Sequence, residues 1–508
     1  MEETKKKRTK ETSKKQSRQL TPMQKVKRFL KSKLLGFILA AIHLIATVLL
    51  LGEILYLNVL PAKFFIPISF VLLLLVAYTF LTVYSKKFRT FGKILSVIFT
   101  VFWCVGIYYV GSANGMFDSI AGSDTKTDVI NVYVLKDDTA ESLKDTKDYT
   151  FGVLAVLDSK NTEKTISKIE SEVGQEIATK EYEHWSAMID ALYSGEVGAI
   201  ILNSAYIDSA TELDEYADFE SKTKIIHENV IVTKIDVDTE KDVTNSTFVL
   251  YISGIDVTGK ISTTSRSDVN IIAVVNPKTR QVLMVNTPRD YYIPLAMDGS
   301  PMDKLTHAGI YGIDMSMNTL GNLYDIKMDY YFRINFTGFE KVIDALGGIE
   351  VYSESEFTTR HGNYHIVKGT NYLDGKEALG FVRERYALAD GDNQRGRNQM
   401  AVIKAIINKM ASSALLNDFS GLMDSLEGSF QTSMTSEQIS SLVRMQLDEG
   451  GSWNVVNYSV TGTGDSRNVY SMSSKCYVMI PNDESVAKAK ELIQMVYDGK
   501  TITDEDLK

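Results

Sequence analysis

Cysteine is scarce in this 508-residue chain, and several familiar catalytic motifs are absent altogether. The two cysteines, Cys104 and Cys476, lie in an apolar run and in a distant polar region, so they predict no disulfide framework. The sequence contains no GxxxxGK loop, no HExxH pair and no GxSxG turn between a strand and a helix. These absences leave P-loop nucleotide chemistry, zinc proteolysis and α/β-hydrolase chemistry without support.

Charge is distributed very unevenly along the chain. Residues 1–109 carry 18 Lys and Arg against 4 Asp and Glu, a net charge of +14, so the total of −9 leaves −23 for the remainder. A basic front and an acidic remainder indicate two different environments. The tail at 1–33 holds 13 of the basic residues. Because this tail lacks aromatic or apolar periodicity, it favours contact with anionic membrane lipid over binding of nucleic acid.

Apolar runs follow the tail at residues 34–57, 64–84 and 94–110. The first two are long enough to cross a hydrocarbon layer of about 30 Å, and the third is near the minimum length. The loop after the second run carries four basic residues, whereas the loop before it has only Lys63. The positive-inside rule then predicts a multi-pass plasma-membrane protein with a cytoplasmic N-terminus and with everything after about residue 111 outside the cell.

Two exterior domains are predicted after the apolar runs. Strand patterns at 129–135 and 151–157, a helix at 161–173 and a helix followed by a strand within 184–202 indicate a small α/β accessory domain over 128–240. A second domain, over 245–482, mixes strand and helix patterns around a predicted central mixed sheet. Its strands within 268–290 flank NPKTR, which is typical of a hairpin turn. A final helix and tail occupy 483–508.

Charged residues mark the strand ends of the second domain. Asp256 closes one predicted strand, Arg266 and Asp268 precede the next, and Arg289 follows the third. Strand ends are where α/β sheets commonly present binding groups. If the strands are neighbours, Asp256 and Asp268 meet at one edge of the sheet. Two carboxylates without a nearby histidine or cysteine suit a hard cation such as Mg²⁺, with Mn²⁺ as the alternative.

An arginine-rich stretch, FVRERYALADGDNQRGRNQ at residues 381–399, contains no lysine. Arginine offers a planar fork of donors that fits carboxylate or phosphate, and pyrophosphate can accept several such forks. The sequence leaves two interpretations open, an anion site or surface ion pairs with the acidic residues of the same stretch. On a helix, Arg395 and Gln399 share a face with Asn398, whereas Arg397 points away. The four arginines are Arg383, Arg385, Arg395 and Arg397.

The motifs of residues 245–410 resemble, in order, those of the LytR-CpsA-Psr family. They read DVTGKISTTSRSDVNIIAVVNPKTRQVLMVNTPRD, DKLTHAGIYG, DYYFRINFTGFEKVIDALGGIEV and ALGFVRERYALADGDNQRGRNQ. The three apolar runs and the accessory domain are similar to the streptococcal capsule-biosynthesis, CpsA-like branch of that family.

This resemblance implies a membrane-anchored phosphotransferase with an α/β/α domain and Mg²⁺ at its site. By motif, Asp256 and Asp268 correspond to the metal-linked aspartates, and Asp392 to the acidic residue that opens the last motif. Many members have arginine where Asn398 stands, so one phosphate contact stays open. The implied pyrophosphate contacts are Arg266, Arg289, Arg383, Arg385, Arg395 and Gln399.

The reaction implied is transfer of a glycopolymer, expected to be capsular polysaccharide, from a polyprenyl-pyrophosphate carrier to peptidoglycan. Arg289 and Arg383 are expected to take part in catalysis, with Asp392 as the first candidate for the base and a metal-bound contact as the second. Capsule-assembly membrane proteins are candidate partners. Two alternatives stay open: a membrane-bound regulator that senses a ligand and controls capsule expression, and a phosphatase that acts on polyprenyl pyrophosphate.

Overall fold

The computed structural model describes residues 21–211, 213–237, 240–255, 261, 263–411, 428–472 and 475–507. Two compact units are present, one of helices that reaches residue 111 and one that contains both sheets. The predicted site residue Asp256 lies outside the described residues.

The first unit consists of helices, three of which are long and apolar enough to cross a membrane. The helices are α1 (Pro22–Leu30), α2 (Lys33–Leu57), α3 (Ala62–Tyr84) and α4 (Arg89–Ile120). The membrane-length segments are α2, α3 and Arg89–Gly115 of α4. The prediction of three such helices is confirmed. The third is longer than the apolar run at 94–110, because the helix begins at Arg89 in the basic loop and continues beyond residue 110.

The first sheet of the second unit has five strands in the order β3-β2-β4-β1-β5. Strand β2 runs parallel to β3 and β4, whereas β1 is antiparallel to β4 and β5. The strands are β1 (Thr125–Leu135), β2 (Thr150–Leu154), β3 (Ala178–Tyr182), β4 (Ala199–Asn203) and β5 (Thr223–Lys234). The helices are α5 (Ser159–Val173), α6 (Trp185–Tyr193), α7 (Ile207–Ala210) and α8 (Phe219–Lys222).

Side-chain alternation along β1 gives this sheet two buried faces. Ile130 and Val132 pack with Ile169 of α5, whereas Tyr133 packs with Trp185 at the start of α6. Successive residues of a strand point to opposite faces, so one strand can serve both layers. The predicted α/β accessory domain therefore has its sheet between helices.

The second sheet has six strands in the order β16-β11-β6-β7-β8-β17. Strands β6, β7 and β8 form an antiparallel meander, β11 is parallel to β6, β17 is parallel to β8, and β16 is antiparallel to β11. The sheet is thus mixed, as predicted. The strands are β6 (Phe248–Ile255), β7 (Val269–Asn276), β8 (Gln281–Asn286), β11 (Tyr330–Asn335), β16 (Phe430–Thr432) and β17 (Asn454–Ser459).

Helices cover both faces of the second sheet. On one face Ile272 and Val285 pack against α10 (Ile313–Tyr324) and α15 (Asp483–Tyr497); on the other, Ile271 and Met284 pack against Met400 of α13 (Gly391–Met410). Each fully buried aliphatic side chain of this kind contributes about 1.5–3 kcal/mol. The predicted α/β/α arrangement with a central mixed sheet is confirmed.

Shorter elements surround the second sheet. The elements that were not predicted include three two-stranded ribbons, β9–β10, β13–β14 and β18–β19, and two helices, α9 and α14. The remaining strands are β9 (Tyr292–Pro294), β10 (Met302–Lys304), β12 (Ile349–Ser353), β13 (Phe357–Thr358), β14 (His365–Ile366), β15 (Gly369–Leu373), β18 (Gly462–Asn468) and β19 (Lys475–Pro481). The remaining helices are α9 (Leu305–Ala308), α11 (Phe336–Ala345), α12 (Gly375–Arg383) and α14 (Ser436–Glu449).

The two sheets are joined by buried contacts within one compact unit. Thr127 of β1 forms a bridge with Thr263, and Trp185 Nε1 donates a hydrogen bond of 2.6 Å to the carbonyl oxygen of Ser471. Ile310 and Met472 share the hydrophobic cluster that contains Trp185. The domain boundaries stay predictions, but side chains of both α/β parts pack in one buried hydrophobic cluster.

Candidate functional site

The site lies at the edge of the second sheet where β6, β8, β11 and β17 end and β7 begins. Asp268 immediately precedes β7, and Arg289 follows β8 by three residues. The β7–β8 turn fixes this pairing locally, because the side chain of Asn276 accepts hydrogen bonds from the backbone N–H groups of Lys278 and Thr279. The meander therefore brings the two charged residues together.

Asp268 is the centre of the described charged cluster. Its Oδ1 accepts a 3.0 Å hydrogen bond from Arg289 Nη1 and a 3.4 Å bond from Thr306 Oγ1. Burial acts to raise the pKa of Asp268, but the charges of Arg289, Arg266 and Arg395 and the bond from Arg289 hold this pKa below its ordinary value. The carboxylate is therefore ionised and surrounded by guanidinium groups.

Arg395 reaches the cluster from the first turns of α13. Gly396 lets this helix approach β8 closely, since a Cβ at this position would lie 2.1 Å from Asn286 Nδ2. Arg395 is 9% exposed, and its Nη2 lies 2.6 Å from Asp392 Oδ1. Burial lowers the pKa of Arg395, with Asp392 and Asp268 opposing this shift and two neighbouring arginines adding to it. Asp392, predicted as the base, is thus ion-paired with a pyrophosphate candidate.

Glu384 shapes the loop that carries Arg385. Glu384 is 2% exposed, and its Oε1 accepts hydrogen bonds from the backbone N–H groups of residues 385, 386 and 387 at 3.0, 2.8 and 2.9 Å. Its Oε2 accepts a 2.5 Å bond from Arg360 N. Burial acts to raise the pKa of Glu384, but these four bonds hold it below its ordinary value. Glu384 therefore serves the backbone, not the neighbouring guanidinium groups.

The two arginines that flank Glu384 both lie over aromatic rings. Arg383 Cζ is 4.1 Å from the ring centroid of Phe336, at the start of α11. Arg385 Cζ is 4.6 Å from the ring centroid of Tyr386, and its charge acts on Arg395. Such stacking holds a guanidinium in place.

The other residues of the last motif divide between packing and surface pairing. Gln399 is buried, and its Nε2 donates a 3.4 Å hydrogen bond to the carbonyl oxygen of Val382 at the end of α12. Asn398 donates similarly to Phe381, at 3.3 Å. Arg397 forms ion pairs with Asp390 at 2.8 Å and with Glu354 at 3.3 Å. The surface-pair interpretation therefore describes Arg397, whereas Arg395 belongs to the cluster.

Arg266 lies in the segment that leads into Asp268, and its charge lowers the pKa of that carboxylate. The segment packs tightly on the loop after α9, since a Cβ at Gly309 would lie 2.5 Å from the carbonyl oxygen of Ser265. Asp256, which was predicted to bind the metal together with Asp268, is outside the described residues; β6, the strand before it, ends at Ile255.

Two pairs of charged or titratable side chains beside the cluster, Lys304 with Asp290 and His307 with Asp303, were not predicted from the sequence. Lys304 Nζ lies 3.0 Å from Asp290 Oδ1, next to Arg289. His307 is buried, and its Nδ1 lies 2.6 Å from Asp303 Oδ1. The other oxygen of Asp303 accepts hydrogen bonds from the backbone and side chain of Ser471. His307 thus belongs to a buried network; the only sequence signal was its spacing from Asp303.

Arg333 is a further residue that the sequence did not single out. It is 2% exposed on β11, and its Nη2 donates a 2.8 Å hydrogen bond to the carbonyl oxygen of Thr263. Burial lowers the pKa of Arg333 to about 10. An arginine inside an otherwise apolar strand was the available signal.

The chemistry of Asp268 fits a magnesium ion shared with phosphate oxygens. Its Oδ1 is engaged by Arg289, whereas Oδ2 accepts no hydrogen bond from the residues that the structure describes. Within those residues no group of three or more His, Cys, Asp or Glu could hold a metal ion by itself. Mg²⁺ is commonly bound by one or two carboxylates together with substrate phosphates, so a single described carboxylate is consistent with it.

Fold and site together define an α/β protein with three N-terminal apolar helices and an arginine cluster at the edge of a mixed sheet. The family model described as LytR_cpsA_psr family matches residues 206–491, which is more than half of the chain. The chain therefore belongs to the LytR-CpsA-Psr family, as its motifs predicted. A second family model, DNA polymerase processivity factor, matches residues 86–202, which is less than half of the chain.

Curated relatives include proteins named polyisoprenyl-teichoic acid–peptidoglycan teichoic acid transferase. TagU of Bacillus cereus is 34% identical over 175 residues, which cover 34% of this chain and 57% of the relative. TagU of Bacillus licheniformis is 35% identical over 212 residues, 41% of this chain and 67% of the relative. TagT of Bacillus subtilis is 36% identical over 197 residues, which cover 37% of this chain and 60% of the relative. The chain thus spans between 57% and 67% of these relatives' lengths.

Solved structures also match. That of B. subtilis TagV has 25% identity and a TM-score of 0.43, and the match covers 51% of this chain and 99% of TagV. The structure of TagT bound to LI-WTA has 28% identity and a TM-score of 0.41, and the match covers 53% of this chain and 94% of the TagT chain.

Proposed function

We propose that this protein is a phosphotransferase that moves a glycopolymer from a polyprenyl-pyrophosphate carrier to peptidoglycan. One observation carries the proposal: the charges of Arg266, Arg289 and Arg395 converge on the half-buried carboxylate of Asp268. A pyrophosphate accepts several bidentate guanidinium forks, and preorganised donors in a partly buried site stabilise the charge that develops during phosphoryl transfer. The transferase activity for which the TagU and TagT relatives are named agrees with this chemistry.

In the proposed reaction a peptidoglycan sugar hydroxyl attacks the phosphorus linked to the glycan. A new P–O bond forms to that hydroxyl, the bond to polyprenyl phosphate breaks, and polyprenyl phosphate leaves. Arg289 and Arg395 hold diphosphate oxygens from the buried side, and Arg383 and Arg385 hold them from the loop. Asp392 accepts the hydroxyl proton, with its pair to Arg395 fixing its position.

Asp268, together with Asp256, would hold Mg²⁺ or Mn²⁺. When bound, the ion would supply positive charge to the diphosphate oxygens. Asp268→Asn tests this assignment through binding of inorganic pyrophosphate by calorimetry. The variant should lose the Mg²⁺ dependence of affinity, while its Mg²⁺-free affinity rises because a carboxylate has left the arginine cluster. Unchanged Mg²⁺ dependence would exclude Asp268 as a ligand.

The proposed location follows from the carrier, which is a membrane lipid. Helices α2, α3 and α4 would span the plasma membrane with the basic N-terminus in the cytoplasm, and both sheets would lie outside. Capsular polysaccharide is proposed as the glycopolymer on the resemblance to the capsule branch, and capsule-assembly membrane proteins as partners. Cysteine accessibility in intact cells, with probes at residue 20 and residue 500, would test the orientation.

The central test is transfer from a synthetic polyprenyl diphosphate saccharide to peptidoglycan oligomers by the full chain in detergent. Arg289→Ala should lower the transfer rate by about 10²–10³, since it removes a preorganised donor. Arg397→Ala is the matched control in the same motif, and should stay within about threefold because Arg397 pairs with surface carboxylates. Full activity of Arg289→Ala would refute the proposal.

Two further results separate the alternatives. Phosphate release without any peptidoglycan acceptor would indicate the pyrophosphatase, whereas release of polyprenyl phosphate only with acceptor supports transfer. Deletion of residues 1–30 should leave transfer intact; a regulator acting through that tail would lose its effect on capsule expression. Mass spectrometry of lipid co-purified with the full chain should find polyprenyl phosphate or pyrophosphate.

A further inference from the structure

Arg360, which belongs to none of the sequence motifs, lies next to the arginine cluster in a loop that is held by internal hydrogen bonds. The loop joins β13 to β14. Thr359, 1% exposed, donates from Oγ1 to the carbonyl oxygen of His361 at 2.8 Å and accepts at the same atom from Tyr364 N at 3.0 Å. Gly380 of α12 admits the loop, because a Cβ there would lie 3.0 Å from the Tyr364 ring. The backbone position of Arg360 is therefore fixed.

One buried carboxylate joins this loop to the loop after α12. Glu384 accepts Arg360 N at one oxygen and the N–H groups of residues 385–387 at the other. A carboxylate that accepts several backbone hydrogen bonds holds its donors at short, charge-assisted distances. The two segments, 24 residues apart in sequence, are thus held together as one wall of the site.

Tyr386 brings two guanidinium groups to one exposed phenol ring. The Cζ atoms of Arg360 and Arg385 each lie 4.6 Å from its ring centroid, and Arg385 Nη2 lies 2.5 Å from its hydroxyl oxygen. The bond and charge of Arg385 lower the pKa of Tyr386; the charges of Arg360 and Arg289 add to this, and slight burial opposes it. Three arginines therefore act on a single side chain at the mouth of the site.

In the described part of the chain, neither Arg360 nor Arg385 forms an ion pair with a carboxylate. By contrast, Arg395 forms one such ion pair and Arg397 forms two. Like charges held together without a counter-ion repel one another, and a bound anion relieves that repulsion. The pair is thus arranged as a receptor for an anionic group.

The position of this pair indicates which part of the donor it meets. The Arg289 side chain, beside Asp268, is 13% exposed to solvent, whereas Tyr386 is 64% exposed, so the site opens toward solvent on the Tyr386 side. If the diphosphate occupies the buried arginines, as the proposed function requires, the saccharide follows it toward solvent. We infer that Arg360, which lies beside Arg385 over the Tyr386 ring, binds an acidic group of the donor saccharide, a sugar carboxylate or phosphate, and so selects anionic glycans.

The test uses the full chain in detergent and two synthetic polyprenyl diphosphates that differ at one carbon. One carries a neutral disaccharide, and the other carries the same disaccharide with one sugar oxidised to its uronic acid. Arg360→Ala should raise KM for the acidic donor by about tenfold or more, the usual loss for a hydrogen bond to a charged group, and leave kcat unchanged. For the neutral donor, KM should stay within about twofold.

Controls separate this inference from the proposed function. Arg467→Ala removes an arginine whose ion pair with Asp465 is on the surface, and should change neither donor. Arg360→Lys keeps the charge without the fork and should give an intermediate KM; both Arg360 variants retain the backbone N–H that Glu384 holds. Equal effects of Arg360→Ala on both donors, or none on either, would overturn the inference, whereas full activity of Arg289→Ala would overturn the function itself.

Discussion

Glu384→Gln should loosen the wall of the site although no predicted site residue changes. The amide oxygen of glutamine can replace Oε1 and keep the three bonds to residues 385–387, but these become neutral and lose about 1 kcal/mol each. The amide nitrogen then faces Arg360 N, where two donors meet, at a cost of about 1–3 kcal/mol. We expect the local structure to lose about 4–6 kcal/mol.

Hydrogen exchange at the amides of residues 360 and 385–387 measures this loss directly, because local opening need not unfold the whole unit. Pyrophosphate affinity should fall about tenfold, since Arg385 is no longer held. Glu356→Gln is the matched control: Glu356 is exposed, lies 3.5 Å from His365 and should change stability by less than about 0.5 kcal/mol. Unchanged exchange in Glu384→Gln would refute the assignment of Glu384 as the organiser of this wall.

The same carboxylate gives a pH dependence with a definite sign. An unfolded glutamate has a pKa of about 4.3, and the folded pKa of Glu384 is lower. Its contribution to stability is therefore fully present above about pH 4.3 and is lost as the pH falls through the folded pKa. Glu384→Gln should lose this part of the pH dependence of stability, which urea unfolding at several pH values measures.

Three further predictions concern the rest of the fold. Burial raises the pKa of Asp158 to about 7, so stability should fall by up to about 4 kcal/mol between pH 4 and pH 7, and urea unfolding of Asp158→Asn should lack this slope. Gly396→Ala places a Cβ against Asn286 and should displace α13, costing about 1–3 kcal/mol and weakening pyrophosphate binding in calorimetry. Trp185→Phe removes the bond to Ser471 and should lower unfolding free energy by about 1–2 kcal/mol, with a several-fold loss of pyrophosphate affinity.

Controls for these substitutions come from the same chain. Gly111→Ala adds a Cβ in open space and should not destabilise the protein, so a similar loss there would contradict the steric argument for Gly396. Trp453→Phe also removes one indole hydrogen bond, to Gln446, but away from Ser471. If Trp453→Phe weakens pyrophosphate binding as much as Trp185→Phe does, the loss of affinity does not come from the bond between Trp185 and Ser471 that joins the two sheets. A pH slope in Asp158→Asn equal to that of the parent would exclude Asp158 as its source.

Local patterns in the sequence were enough for the main elements of the fold. The NPKTR turn between two apolar strands predicted β7 and β8, and the apolar runs predicted the three long helices, because turn chemistry and periodicity act over a few residues. The ribbon β13–β14 was missed because its strands have two residues each, too few for any period.

The site was predictable only in part for a related reason. Charged residues at strand ends placed Asp268 and Arg289 together, since the two strands are joined by a short turn. The contact of Arg360 with Glu384 depends instead on how a hairpin packs against a helix, which no local pattern records. Likewise, the pairing of Arg397 with Glu354, 43 residues away, was not visible in a stretch whose own acidic residues offered partners.

The antiparallel pairing of β1 with β5 has a consequence for how such a protein could arise. Thr125 faces Lys234 across the ladder, and Ile235 N donates a 2.7 Å bond to the carbonyl oxygen of Asp124. Cα atoms paired in this way are roughly 5 Å apart, so the chain enters and leaves the first sheet at neighbouring points. A gene segment encoding the residues between them could be inserted or excised in one event, and a tight turn would rejoin the polypeptide without rerouting the rest of it.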